Sequence, residues 1–282
     1  MRLKRKILSD TMLRAFLIFA VLLVLTSIFA KNLAPNDPYT TNIAQMKQPP
    51  SSQYPFGTDD MGRCVLSRVL YGARTSVFSA LLLVTITFIF GSAVGILCGY
   101  YGGAADRIIM RIIDGIMAFP QMILAIAVSG ILGGGMLNAM IALGFAGWTP
   151  YVRLARSGVL AIKNEDYIKA ARFSGSGSFS IMAKHILPNI FSSLLTYATV
   201  QIGSVMLGFA GLSFLGLGVK RPEAEWGSMI SEARGFLATA PWTVLYPGLA
   251  LVITVMVFNY LGDAVRDRLD VHVLGGNIEI EK

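Results

Sequence analysis

The chain alternates long uncharged, apolar runs with short polar breaks. Residues 15–30, 75–105, 115–152, 186–219 and 235–262 carry no Asp, Glu, Lys or Arg at all. A helix crossing a hydrocarbon core of about 30 Å needs roughly 20 mostly apolar residues, so each run predicts a spanning helix. The run 115–152 predicts two, the first starting near Ile108 and turning over at Gly133-Gly134-Gly135. Six spans result, the pattern of an all-α integral membrane protein. Gly91, Gly95, Gly99 and Gly103 repeat every four residues, which sets small residues on one helical face where backbones can approach closely. Pro120, Pro150, Pro188 and Pro247 each sit at a span or its entry, where proline kinks or starts a helix.

Composition agrees with that pattern. Hydrophobic residues make up 54% and charged residues 14% of the 282, against about 25% charged in soluble domains, and the mean hydropathy is +0.62. Orientation follows from the basic residues, which short cytoplasmic loops carry in excess. With both termini inside, segments 1–14, 100–111, 151–189 and 265–282 hold 16 of the 24 Lys and Arg, including Arg2, Lys4, Arg5 and Lys6. Arg63, Arg68 and Arg74 run against this bias. The first span has a basic start like a signal peptide, but its 16 uncharged residues exceed the usual h-region of about 7–15 and Ala30-Lys31-Asn32 is a poor cleavage site, so it is expected to stay as an anchor. The net charge of +8 then reads as a topology and lipid-headgroup signal, not a nucleic-acid footprint.

Candidate chemistry is sparse. Cys64 and Cys98 are the only cysteines and support neither a disulfide framework nor a metal site; Cys64 reads as a loop thiol. No GxxxxGK[ST] or HExxH occurs, and the histidines are His185 and His272. The chain is therefore expected to hold no catalytic residue, metal or cofactor, and any ATP would be hydrolysed by another chain. Arg107, Arg111 and Asp114 share a helical face at the expected inner end of the third span; Arg111 with Asp114 reads as an ion pair, with a candidate role at an inner gate.

The break between the fourth and fifth spans differs from every other. Residues 151–189 mix basic and acidic groups with Tyr167, Ile168, Phe173, Phe179 and Ile181. Small residues at Ala170 and Ala171 permit close docking, Gly175 ends or turns a helix, and apolar periodicity resumes toward Pro188. A short helix, a turn and a second helix are predicted, a shape suited to a groove on a partner protein.

The run Tyr167-Ile168-Lys169-Ala170-Ala171-Arg172, then Gly175, then His185-Ile186-Leu187-Pro188 resembles the coupling motif of bacterial ABC importer permeases, with Lys169 where the motif has glutamate. Phe56-Gly57-Thr58-Asp59-Asp60-Met61-Gly62-Arg63 resembles a segment of the dipeptide, oligopeptide and nickel permeases, with Cys64 in place of an aspartate. Ser213-Phe214-Leu215-Gly216-Leu217-Gly218-Val219, Glu225-Trp226-Gly227 and Pro247-Gly248-Leu249-Ala250 are similar to that family's C-terminal half. The resemblance implies a second or "C"-type permease subunit of the type I (MetI-like) fold in the bacterial inner membrane. It would pair with a homologous permease, two ATPase subunits using ATP and Mg, and an extracytoplasmic solute-binding protein, for peptides or for nickel or a metal chelate.

On that resemblance, Glu165, Lys169, Ala170, Ala171, Gly175, His185, Leu187 and Pro188 would couple to the ATPase, and Asp59, Arg63, Arg68 and Trp226 would face the outer mouth where a binding protein docks. The plainer readings of the second set are a cap made by Asp59 and an interfacial anchor made by Trp226. The expected units are residues 1–75, a first span with an extracytoplasmic segment; 76–270, a five-helix core with the coupling helix at about 163–188; and a tail, 271–282. A secondary transporter or channel is the alternative, but apart from Asp114 the spans carry no acidic residue of the kind such proteins use near the midplane.

Overall fold

The structure is a computed structural model; it describes the backbone of residues 2–276 and the side chains of residues 11–268. Among them all regular structure is helical, apart from one isolated bridge between Thr58 and Cys64. Helix α1 is Arg2–Ile28, α2 Ala30–Leu33, α3 Val65–Tyr101, α4 Gly103–Met117, α5 Gln121–Leu132 and α6 Met136–Gly147. They are followed by α7 Thr149–Ile162, α8 Asp166–Phe173, α9 Ser178–Ile181, α10 Leu187–Phe214, α11 Trp226–Ala233 and α12 Trp242–Gly276.

Among the described residues four helices are long and apolar enough to cross a membrane: 11–28 within α1, all of α3, the continuous run Ser178–Phe214, and 242–268 within α12. A fifth arises if α4 and α5, bent by 87°, count as one broken span. Pro120, the residue before α5, supplies the bend: it has no N–H for the helix and its ring crowds the preceding turn. The turn at Gly133-Gly134-Gly135 falls where the sequence put it, between α5 and α6. The remaining expected span is divided at Trp148 into α6 and α7, of 12 and 14 residues, or roughly 20 Å each, too short singly to cross. Among the described residues, then, four helices can each span on their own, or five with the bent pair, against the six spans expected. The basic side chains at Arg2, Lys4, Arg5 and Lys6, on which the orientation rests, lie outside the described residues, as do residues 277–282 of the expected tail.

Several boundaries move. The second span begins at Val65, ten residues before the uncharged run, and stops at Tyr101 because Gly102 and Gly103 both turn with positive φ. Gly103 thus opens α4 and drops out of the expected stripe. The other three glycines stay in register: a Cβ on Gly91 would lie 2.5 Å from the Trp148 carbonyl oxygen, one on Gly95 2.5 Å from that of Val152, and one on Gly99 2.7 Å from Val159 Cβ. The stripe is where α3 and α7 press together, the plain packing use of such a face. The last two spans are shifted against their uncharged runs, one running Ser178–Phe214 and the other beginning only at Trp242 and continuing past Gly262.

The core lies along α3, α7, α10 and α12, where Val77, Ala80, Tyr151, Ala155, Val159, Leu194 and Phe209 are buried. Helix α1 rests on its edge, with Phe16 stacked on Tyr260 at 5.1 Å. The segment between α2 and α3 folds over one end of the bundle. Thr58 anchors it, its N–H donating to the Gln48 carbonyl and its own carbonyl accepting from the Trp242 indole N–H at 3.1 Å.

Candidate functional site

Helix α7 leads through three residues into α8, the first half of the segment the sequence singled out. Glu165 precedes α8 in extended conformation and makes no side-chain cap, while Asp166 sits in the first turn, where the helix dipole favours a carboxylate. The Lys169 ammonium donates to Asp166 Oδ1 at 2.9 Å and holds that carboxyl below the usual aspartate range. Gly175, at φ +82°, closes α8. Its N–H donates to the Arg172 carbonyl and the Ser176 N–H to that of Ala171, the two bonds of a Schellman ending in which glycine takes the left-handed position without steric cost.

Ile168, Ile181 and Ile186 turn inward and are fully buried, whereas Phe173 is 90% and Phe179 80% exposed. Two open phenyl rings therefore flank the glycine turn. Lys169, Ala170, Gly175 and Pro188 are open, and Ala171, His185 and Leu187 half-buried. The second half of the segment does not stop at Pro188: α9 passes through a π turn, Met182–Ile186, directly into α10. The Leu187 N–H bonds to the Met182 carbonyl, and the widened turn admits Pro188, which has no N–H to offer.

Behind this segment, α7 is tied to its neighbours by cations. Arg156 grips Asp106 of α4 with two hydrogen bonds, 2.6 and 2.7 Å; Asp106 is only 8% exposed. Lys163 Nζ donates to the Gly99 carbonyl at 3.1 Å. Asp114 pairs with Arg153 of α7, so the expected Arg111–Asp114 pair is replaced by one between helices. The turn at Gly102-Gly103 brings α4 back alongside α7, and the cross-helix arginine takes the carboxylate.

The outer-mouth candidates are brought together, but inside. Asp59 Oδ1 accepts from the Met61 and Arg63 N–H groups, capping a turn and not a helix, and its Oδ2 receives Arg63 Nε at 2.7 Å and Arg68 Nε at 3.4 Å. Arg63 and Arg68 are 2% and 1% exposed. Glu232 of α11 lies 3.5 Å from Arg63 and 3.0 Å from Arg221, which also reaches Asp60 at 3.2 Å. Three arginines thus meet three carboxylates, and Arg68 with the three carboxylates lines a cavity of about 20 Å³, room for about one water. Arg63 and Arg68 contribute little free positive charge, which removes much of their conflict with the basic-residue bias. Cys64, in this same turn, is buried.

Trp226 is buried too, its indole N–H donating to the Val69 carbonyl at 2.9 Å, so it is a core residue and not an interfacial anchor. The preceding Glu225 binds three elements at once. One carboxylate oxygen accepts from the Gly227 N–H (2.8 Å) and the Ser76 hydroxyl of α3 (3.2 Å). The other accepts from the Ser228 N–H (2.7 Å) and the Ser213 hydroxyl of α10 (2.8 Å).

Sequence reasoning passed over Glu225, Glu232, Arg221 and Asp60 as site residues, and Asp106, Arg153, Arg156 and Lys163 as ties. The available signal was charge in a chain with little of it: a carboxylate beside an apolar run needs a partner.

Residues 91–274 match the family of binding-protein-dependent transport system inner membrane components. The chain is 42% identical over 254 residues to the dipeptide transport system permease protein of Alkalihalophilus pseudofirmus, covering 90% of this chain and 84% of that one. It is 40% identical to the glutathione transport system permease protein of Pectobacterium atrosepticum, with the same coverage. To the nickel transport system permease protein of Escherichia coli it is 39% identical over 261 residues, covering 93% and 94%. In fold it resembles a chain of the inward-facing MetNI methionine ABC transporter, with TM-score 0.57, 20% identity and coverage of 71% and 94%. A helical bundle with long apolar spans, matched in sequence along nine-tenths of its length, belongs to the binding-protein-dependent transport system inner membrane components, as a permease subunit of an ABC importer.

Proposed function

We propose that this permease forms one half of a channel with a homologous permease, both termini cytoplasmic. Two ATPase subunits, using ATP and Mg, drive it from the cytoplasmic side, and an extracytoplasmic solute-binding protein delivers the cargo. On this reading α4 with α5 and α6 with α7 each cross the membrane once, completing six spans. The units are 1–75, a core 76–270 and a tail 271–282, with coupling at about 163–188. Short peptides are the proposed cargo, because the relatives named for dipeptide and for glutathione share amide and carboxylate chemistry. Nickel or a metal chelate is the second reading, supported by a nickel permease that aligns along 93% of the chain.

The coupling role rests on Phe173 and Phe179, two exposed rings on either side of a rigid glycine turn, a shape suited to a partner's hydrophobic groove. Asp59, Arg63, Arg68 and Trp226 act on this reading as the internal frame of the outer cap on which the binding protein docks. Tagging the chain, solubilising membranes gently and identifying what co-purifies tests the assembly; recovery of the chain alone would refute it.

Gly175→Asp tests the segment. A Cβ at Gly175 meets nothing within 4 Å in this chain, so beyond backbone strain of about 1 kcal/mol any loss must come from outside it. Insertion into the membrane should persist and transport should be abolished, with Gly175→Asn, equally strained but uncharged, retaining more. Normal uptake by the Asp variant would remove the coupling assignment.

A further inference from the structure

Two aspartates on α4 are held by two arginines on α7, and the two contacts differ in kind. Asp106–Arg156 is bidentate and largely buried, with side chains 10% and 29% exposed. Asp114–Arg153 is open, with side chains 55% and 46% exposed. Buried two-point pairs fix geometry, because separating them strands a charge in a poor solvent. Exposed single contacts are exchanged readily for water. Asp106 and Asp114 lie eight residues apart, about 12 Å along α4, so one marks its start and the other the turn before its end.

Beyond these contacts α4 touches α7 only sparsely, and the outer side of α4 is bare, with Ile108 and Ile112 exposed. Its far end turns by 87° into α5, and α5 packs on α6 and reaches α10. At its other end α7 runs into α8, with Lys163 pinning that junction to the end of α3. The arginines therefore sit between the segment that receives force and the elbow that would swing α5.

We propose that Arg153 and Arg156 are positioning residues for transport: Asp106–Arg156 is a pivot and Asp114–Arg153 a releasable latch, and together they deliver motion of the coupling segment through α4 to α5. This rests on the coupling reading of residues 163–188. Displacing α8 moves α7; the pivot keeps the start of α4 with it, and opening of the latch frees the elbow.

The test uses the assembled importer, with its ATPase subunits, in lipid nanodiscs, and needs no cargo. Spin labels at Ile131→Cys on α5 and Leu82→Cys on α3, both exposed positions, report the distance between those helices without nucleotide and with ATP and vanadate, while ATP hydrolysis is followed in parallel. In the native background ATP should shift the distance distribution. With Arg156→Met the shift in populations should weaken by roughly 2- to 30-fold while hydrolysis continues, and Asp106→Arg with Arg156→Asp should restore it. Arg153→Gln, at an open contact that folding does not need, should populate the shifted distance before ATP is added.

A distance that ignores ATP in the native complex, an undiminished shift in Arg156→Met, or a charge swap no better than its single changes would each overturn the proposal. Parallel loss of hydrolysis and shift in Arg156→Met, with Arg153→Gln like the native, would do the same, since it marks plain misfolding. If Gly175→Asp leaves transport intact, the coupling reading itself fails, a result separable from any of these.

Discussion

Glu225 is the residue whose removal the structure prices most directly. Its two oxygens each take one backbone N–H of α11 and one serine hydroxyl, from α3 on one side and α10 on the other, and it is 1% exposed. In Glu225→Gln one oxygen keeps its pair of donors. The new amide NH2 faces a serine, whose hydroxyl can rotate to accept, and a backbone N–H, which cannot. One buried donor is orphaned, at a cost of about 2 kcal/mol. Glu225→Ala orphans both backbone donors and both hydroxyls lose their acceptor, for about 4 kcal/mol.

At 1.4 kcal/mol per factor of ten, local opening of the cap should rise roughly 30-fold in the first variant and roughly 1,000-fold in the second. Hydrogen exchange of the chain in nanodiscs reads this at α11 amides that keep their bonds, such as the Met229 N–H to the Glu225 carbonyl. Protection within twofold of native in Glu225→Gln, or equal losses in the two variants, would refute the bond count.

Gly95→Ala should destabilise the chain by roughly 0.5–2 kcal/mol, the net of overpacking against the Val152 carbonyl and Ala155 Cβ and a small gain in helix propensity. Gly130→Ala, which meets nothing within 4 Å, should be neutral or better; thermal unfolding of both checks the contrast. The depressed Asp166 carboxyl makes its contact with Lys169 present above the unfolded aspartate value and lost as pH falls through the lower, folded one. Lys169→Ala should move the Asp166 titration back up toward the usual range, as read by carboxyl NMR of the labelled protein.

Counting uncharged residues located the four long spans because the bilayer penalises charge steeply, and it located the turn at Gly133-Gly134-Gly135 because glycines break helices. The same count mistook the start of α3. Arg68 and Arg74 end an uncharged run on paper, yet Arg68 is neutralised in place by Asp59 and Glu232, residues far off in sequence. Helical spacing likewise offered Asp114 only a partner on its own helix; Arg153, 39 residues away, becomes visible when the fold is known. Trp226 looked like an interfacial anchor because aromatic belts are common, and its indole instead caps a carbonyl of α3. At residues 165–188 the segment was legible through its turn chemistry, but its continuity with α10 was not: Pro188 reads as a boundary, and a π turn carries the helix past it.

That continuity has a mechanical meaning. From Ser178 to Phe214 the helix is unbroken for 37 residues, a rod of about 55 Å. One end emerges beside Phe179 and the glycine turn, and the other holds Ser213, which is hydrogen-bonded to Glu225 under the opposite cap. A stiff element shared by two remote faces makes their ligands thermodynamic neighbours: whatever a protein seated on the cap adds to the affinity of a protein seated on the turn, the second must add in equal measure to the first.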